Sequence, residues 1–221
     1  MIQAAHGRTS LGISGRNLTK NRDGSRTTHH INRRVTQSIF RAFDFATAIG
    51  SPLNLYVVLN LLERDEATAA ELFARVRHKY RDWLNYKGKI APEAATPPAY
   101  VYTLENPSGA HPHVNWALYI PPQLQAEFER KLPRWLEKVQ GECRPHDCHV
   151  QSINQRFSKR LAKYVVKATE AGYVKHFFLE EVASDQGKIL GKRAGVSPSL
   201  GHVARREVGF KPARNRWRKA A

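Results

Sequence analysis

The sequence predicts an α+β domain built on an antiparallel sheet in a split β-α-β arrangement, with helices on one face and an open second face. Three observations lead to this prediction. Residues 53–62 form an apolar run of strand length, and residues 113–120 alternate between apolar and polar side chains. Apolar residues in the other segments recur at the spacing of one helix face. In chain order the elements read β-α-β-β-α-β-α.

The elements of the first half have clear boundaries. Residues 32–49 carry apolar side chains at helical spacing, and the Gly-Ser-Pro triplet that follows ends this helix. The apolar run 53–62 has turn residues before it and charges after it, which indicates a central strand. Asp65 or Thr68 then opens a long amphipathic helix, and residues 99–104 form the next strand.

The second half repeats this alternation after the strand 113–120. The Pro121-Pro122 pair starts a helix, and Pro133 inside its pattern predicts a kink or a split. A short strand over 149–153 and a last strong helix over 154–168 complete the order. Together the elements predict a ferredoxin-like or RRM-like arrangement.

Charge divides the chain into three parts. Residues 1–41 hold eight Lys/Arg and one Asp, and residues 186–221 hold ten Lys/Arg and one Glu, whereas the middle is nearly neutral. We expect a basic disordered arm over 1–30, a catalytic or nucleic-acid-binding domain over 31–185 and a basic extension over 186–221. A neutral body with two basic ends is typical of a nucleic-acid-binding protein, because Lys and Arg displace counterions from phosphates.

The composition also indicates the compartment. No apolar run approaches the roughly 18 residues of a membrane span, and the N-terminus lacks the apolar core of a signal peptide. Two cysteines do not make a disulfide framework, which fits a reducing compartment. We therefore expect a soluble cytoplasmic protein without a membrane partner.

Three polar side chains near the strand 113–120 predict a divalent-metal site. His113 and Asn115 lie on the polar side of the strand, and turn residues bring Glu105 close from the end of the preceding strand. Carboxylate, imidazole and amide groups suit Mg²⁺ or Mn²⁺. A shifted register would use His111 with His113, but Pro112 between them interrupts strand pairing.

A tyrosine and a lysine on the last predicted helix complete the candidate site. Tyr164 and Lys167 are three residues apart and hence neighbours on one helix face. A tyrosine hydroxyl is a poor nucleophile at neutral pH, so it needs an adjacent cation and a metal that polarises the phosphate it attacks. Tyr173 is a second candidate nucleophile, although it lacks a lysine at this spacing.

Four further ligand-type side chains are crowded into seven residues: Cys143, His146, Cys148 and His149. They invite a zinc interpretation, but ligands so close in sequence do not readily close a tetrahedron, so a plain loop is the alternative.

These residues together resemble the HUH endonucleases, which include rolling-circle replication initiators (Rep proteins) of plasmids and phages, and relaxases. The resemblance covers roughly residues 50–170. It consists of the strand order, a His113-hydrophobic-polar triplet in an apolar strand that ends in Pro121, and the downstream Tyr164-x-x-Lys167 pattern. In many initiators of that family a metal-binding Glu precedes the first histidine by eight positions, and Glu105 has this spacing.

The resemblance implies a role for each residue. His113 would be the first HUH histidine, Glu105 the third metal ligand, Tyr164 the nucleophile and Lys167 its helper. This chain has Asn115 where the family has its second histidine, which predicts a weakened site for Mg²⁺ or Mn²⁺.

The implied activity is the nicking and joining of single-stranded or hairpin DNA during replication initiation. The tyrosine would keep the 5′-phosphate as a covalent phosphotyrosine and free a 3′-hydroxyl for a host polymerase. Unwinding would need a host helicase. The alternative is a catalytically inactive RRM-like binder, with Tyr119 and its neighbours stacking bases on the open sheet face.

The predicted DNA contacts are basic residues of the last helix and of the C-terminal extension, where a Gly-Lys-Arg-Ala-Gly loop can present N–H groups to a phosphate. These contacts are Lys163, Lys188, Lys192, Arg193, Arg205 and Arg206.

Overall fold

The computed structural model describes residues 19–20, 26–63, 67–92 and 95–212. The strands are β1 (Thr19–Lys20), β2 (Arg26–Thr28), β3 (Leu55–Asn60), β4 (Tyr100–Glu105), β5 (His113–Leu118), β6 (Cys148–Ser152), β7 (Ile189–Leu190) and β8 (Ala194–Val196). The helices are α1 (Arg33–Ala48), α2 (Ala69–Ile90), α3 (Gln125–Gln140), α4 (Ser158–Val165), α5 (Val174–Phe177) and α6 (His202–Glu207).

The predicted α+β class is confirmed. Five strands pair antiparallel in the order β6-β3-β5-β4-β8, which is consistent with a ferredoxin-like fold. The segment from β3 to α4 has the predicted order β-α-β-β-α-β-α. None of the helices in the described part is long and apolar enough to cross a membrane.

Local sequence explains where the helices begin and end. The Asn32 side chain accepts a hydrogen bond from the Val35 N–H and so caps α1, and Thr68 and Glu71 form a reciprocal capping box at α2. Asp65, the other predicted start of α2, lies outside the described residues. Pro133 lies inside α3, which continues through it, so the helix is not split.

The first face of the sheet carries the larger aromatic core. The alternate residues of β3, β4 and β5 on this face pack against α2 and α3. Trp116 is fully buried at the centre, and its ring meets those of Tyr80 and Phe73 edge to face, with centroids 5.2 and 5.3 Å apart.

The second face was predicted to be open, and this part of the prediction is wrong. Tyr56, Val101 and Ala117 point to this face and are buried in a second core with α1 and α4. A strand with apolar side chains on both faces must be buried on both faces. On the second face, the amphipathic helix α1 buries many of these side chains. The second core does not extend over the polar end of the sheet or over the exposed side chains of His149 and Gln151 on β6.

Both basic ends contribute to the fold. The arm predicted to be disordered to residue 30 forms β2 and, with β1 and β7, a small three-stranded sheet. The C-terminal extension supplies β8, which joins the edge of the main sheet beside β4. Backbone hydrogen bonds hold these short strands, and the buried side chains of Ile189 and Ala194 attach β7 and β8 to the two cores. Segments of two or three residues are too short to show a periodic apolar pattern.

Candidate functional site

The polar end of the second sheet face brings Glu105 and His113 together. The two residues are direct cross-strand partners on β4 and β5. His113 Nε2 lies 3.0 Å from Glu105 Oε2, and the carboxylate is completely buried while the imidazole is partly exposed. The predicted turn between the strands therefore does place the carboxylate beside the histidine.

Lys167 joins the same carboxylate from the opposite side. Its Nζ lies 2.9 Å from Glu105 Oε2. Burial on its own raises the pKa of Glu105, but the contacts with His113 and Lys167 outweigh it and hold that pKa below its usual value. Burial lowers the pKa of Lys167, and its contacts with Tyr164 and Glu105 more than reverse this. The pair is therefore ionised at neutral pH.

Tyr164 lies at the outer edge of this cluster. It is in the last turn of α4, and Lys167 lies in the turn that follows the helix, not on the helix as predicted. The Lys167 Nζ lies 4.0 Å from the centroid of the Tyr164 ring, and the tyrosine side chain is 42% exposed. The site thus combines an exposed tyrosine with a buried cation.

Asn115 is buried in the same region, and a residue that sequence reasoning missed engages it. The Tyr56 hydroxyl donates a hydrogen bond to Asn115 Oδ1. Burial, followed by the proximity of Tyr164 and Glu105, raises the pKa of Tyr56 far above its usual range, so it stays a neutral donor. Tyr56 was hidden in an apolar run, and only the strand register reveals that it faces the site.

Three buried polar atoms of this site have no hydrogen-bond partner within the described part of the chain: Glu105 Oε1, Asn115 Nδ2 and Thr103 Oγ1. Thr103 and Asn115 are cross-strand partners, and alternation puts all three side chains on the second face. Buried polar atoms are nearly always paired in folded proteins. These three atoms are therefore available to a water molecule or to a bound ligand.

The side chains predicted to hold Mg²⁺ or Mn²⁺ are only partly available to a metal ion. Glu105 has one buried oxygen, Oε1, without a partner in the described part of the chain, whereas its Oε2 is held by Lys167 and by His113 Nε2. The remaining carboxylate oxygen and the partly exposed imidazole fit a cation that keeps most of its waters. Asn115 Oδ1 is already engaged by Tyr56, so the protein offers two ligands where three were predicted. Within the described residues, His, Cys, Asp and Glu form no group of three placed to hold a metal.

The alternative ligands do not assemble a site. His111 is exposed and precedes β5, so the register that starts at His113 is the observed one. Cys143 and Cys148 are free and half-buried, while His146 and His149 are exposed. The zinc interpretation of that segment gains no support.

The predicted DNA contacts divide by exposure. Lys188, Lys192 and Arg206 are exposed, and Lys163 is half-buried. Arg193 and Arg205 are buried instead, and their guanidinium groups donate to backbone carbonyls of the protein, among them those of Leu104 and Ser38. These two arginines connect separate segments of the fold, and their predicted contacts with DNA stay predictions.

A comparison with protein-family models finds no match to the chain, and a comparison with curated proteins finds none either. The geometry of the site therefore carries the functional argument.

Proposed function

We propose that the protein is a metal-assisted endonuclease of the replication-initiator type, which nicks and joins single-stranded DNA with Tyr164 as its nucleophile. One observation carries this proposal. Lys167 lies against both the Glu105 carboxylate and the Tyr164 ring, so residues that are far apart in sequence meet on one face of the sheet. A nucleophile, a fixed cation and a carboxylate–imidazole pair are the parts that a phosphodiester transfer needs.

The chemical step follows from these positions. The Tyr164 Oη forms a bond to phosphorus while the bond to the 3′-oxygen breaks, which leaves a 5′-phosphotyrosine and a 3′-hydroxyl. The tyrosine proton passes to solvent, and the leaving oxygen takes a proton from solvent. Lys167 acts as an ammonium group, because its contacts raise its pKa, and it stabilises developing negative charge without accepting a proton. A bound Mg²⁺ or Mn²⁺ at Glu105 and His113 would withdraw charge from the phosphate.

Joining is the same step in reverse. A 3′-hydroxyl attacks the phosphotyrosine and releases Tyr164, which suits a protein that closes a replicated strand. A host polymerase would extend the free 3′-hydroxyl in the meantime, and a helicase acting in trans would supply single strands.

The decisive experiment looks for covalent protein–DNA adducts. The full chain is incubated with Mn²⁺ and a labelled pool of single-stranded and hairpin DNA, then denatured and run on a gel. We expect an adduct that Tyr164→Phe abolishes. Tyr173→Phe is the matched control, because this half-buried tyrosine lies near α4 with the Arg33 guanidinium over its ring and should keep the adduct. An adduct that survives Tyr164→Phe would disprove the assignment.

A second candidate function is a nucleic-acid binder that has lost catalysis. The observation in its favour is Asn115, whose amide oxygen is held by Tyr56 and not offered to a metal. Under this proposal the wild-type chain retains DNA without forming adducts, and its thermal stability does not respond to Mn²⁺. Asn115→His separates the two functions, because a restored imidazole should create Mn²⁺ binding if only this ligand is missing.

A further inference from the structure

A cavity with one basic and one apolar side lies beside the candidate site. Its volume is about 480 Å³, within the range of roughly 300–1,000 Å³ that small-molecule sites occupy. Its basic lining residues are Arg26, His30 and Lys192, and its apolar lining residues are Ile31, Val35 and Ala194, of which Val35 is half-buried and the other two are buried.

Arg193 also lines the cavity, and hydrogen bonds within the protein fix the position of its guanidinium group. The residue is only 2% exposed, and its two terminal nitrogens donate to backbone carbonyls that include those of Leu104 and Thr28. Its Nε has no hydrogen-bond partner within the described residues. Burial lowers the pKa of Arg193 to about 10, so the guanidinium remains charged at neutral pH. The carboxylates of Glu105 and Asp185 lie near enough to Arg193 to oppose the effect of burial on its pKa, but neither residue lines the cavity.

No carboxylate is among the described residues that line the cavity. In the part of the chain that the structure describes, Arg26, His30 and Lys192 form no ion pair. Helix α1 starts at the cavity, with Asn32 in its wall, and the positive end of its dipole adds to the cationic side. The cavity therefore favours an anion.

Two residues that line the cavity form hydrogen bonds with residues adjacent to the candidate site. The Ile31 N–H donates to the Ala168 carbonyl at 2.8 Å, directly after Lys167 in sequence. Arg193 Nη1 donates to the Leu104 carbonyl at 3.2 Å, directly before Glu105. A strand whose scissile phosphate lies at Tyr164 can therefore place a nearby nucleotide at this cavity.

We propose that this cavity binds one nucleotide of the single strand, with the phosphate against Arg26, His30 and Lys192 and the base against the apolar side. A cationic rim with an apolar wall matches the two chemical parts of a nucleotide, as in sites that receive an unstacked base. The inference rests on the proposed function, since it assigns part of the same DNA-binding surface.

A charge-reversal pair tests the inference. Lys192→Glu changes a residue that lines the cavity, and Lys188→Glu makes the same change at an exposed lysine of the same segment outside it. Binding of a labelled pool of short single strands is measured by fluorescence anisotropy with the full chain. We expect Lys192→Glu to weaken binding about tenfold and Lys188→Glu about threefold, because only the first removes a phosphate contact in a shaped site. Equal losses would overturn the inference.

The base-binding half has its own test. Val35→Trp fills the apolar side without changing charge and should weaken binding, with unaltered thermal unfolding as the folding control. Competition with 5′-dAMP and with inorganic phosphate then distinguishes a nucleotide site from a plain anion site. We expect 5′-dAMP to displace the strand at the lower concentration, and equal potency of the two competitors would overturn base binding.

These results separate the inference from the proposed function. A selective effect of Lys192→Glu supports the nucleotide cavity even if no covalent adduct forms. An adduct that depends on Tyr164 supports the proposed nuclease. If the two lysine variants then lose equal DNA affinity, the cavity does not bind a nucleotide. A wild-type chain that retains no single strands overturns both.

Discussion

The two faces of the sheet differ in composition although the same strands form both. On the first face, β5 contributes Val114, Trp116 and Leu118 to an aromatic core under α2 and α3. On the second face, the neighbouring residues His113 and Asn115 lie at the polar end of a smaller core. Strand alternation thus directs adjacent residues either into the aromatic core or to the candidate site, and substitutions on the two faces should have different consequences.

The largest expected effect is on the first face. Trp116→Ala removes the central ring of the core and should destabilise the fold by about 3–5 kcal/mol. Asn115→Ala changes the adjacent residue, which faces the other way, and should cost about 1 kcal/mol because it removes the partner of Tyr56. Urea unfolding measures both. Comparable costs for the two variants would contradict the separation of the faces.

The buried ion pair should give the next largest effect. Lys167→Ala leaves the completely buried Glu105 carboxylate without its ammonium partner, which should destabilise the protein by about 3 kcal/mol and abolish the adduct. Lys163→Ala is the matched control one turn earlier, since this half-buried lysine pairs with no carboxylate in the described residues. A double variant that adds Glu105→Gln should recover part of the loss, and purely additive costs would show that the pair does not interact.

Acidification should weaken the contribution of the Glu105–Lys167 pair to stability, with a smaller change in unfolding free energy than the Lys167 substitution. The pKa of Glu105 is lower in the folded protein than in the unfolded chain, where it is about 4.3. Its contribution to stability is therefore present above that value and is lost as the pH falls through the folded pKa. Urea unfolding between neutral and acidic pH should show a shallower loss in Glu105→Gln than in the wild type. Parallel pH profiles would contradict this assignment.

The predicted residues of the candidate site are marked by local patterns, whereas Tyr56 and Thr103 are not. The alternation in β5 places His113 and Asn115 on one face, the turn brings Glu105 to the strand end, and helical spacing pairs Tyr164 with Lys167. The sequence does not reveal that Lys167 contacts Glu105, since this contact depends on how α4 packs over the sheet.

The burial of the second sheet face was not predicted, although the sequence indicates it. Residues 53–62 are apolar at both strand parities, which is typical of a strand buried on both sides. The burial of Arg193 was beyond prediction, because its carbonyl partners come from separate segments, at Thr28, Leu104 and Gln186. A basic residue in a basic tail gives no indication of such a site.

The smallest expected change in stability comes from a single hydroxyl group on the second face, that of Tyr56. Tyr56→Phe removes the donor to Asn115 Oδ1 and should cost about 1 kcal/mol in unfolding free energy. Because the freed amide oxygen can then turn to a cation beside Glu105 and His113, Mn²⁺ should raise the melting temperature of this variant more than that of the wild type. Tyr80→Phe is the control, since its hydroxyl lies 3.5 Å from the Tyr119 carbonyl and its ring belongs to the first face. If both variants respond to Mn²⁺ as the wild type does, Asn115 is not a latent ligand, and its hydrogen bond with Tyr56 serves only to hold the sheet face in shape.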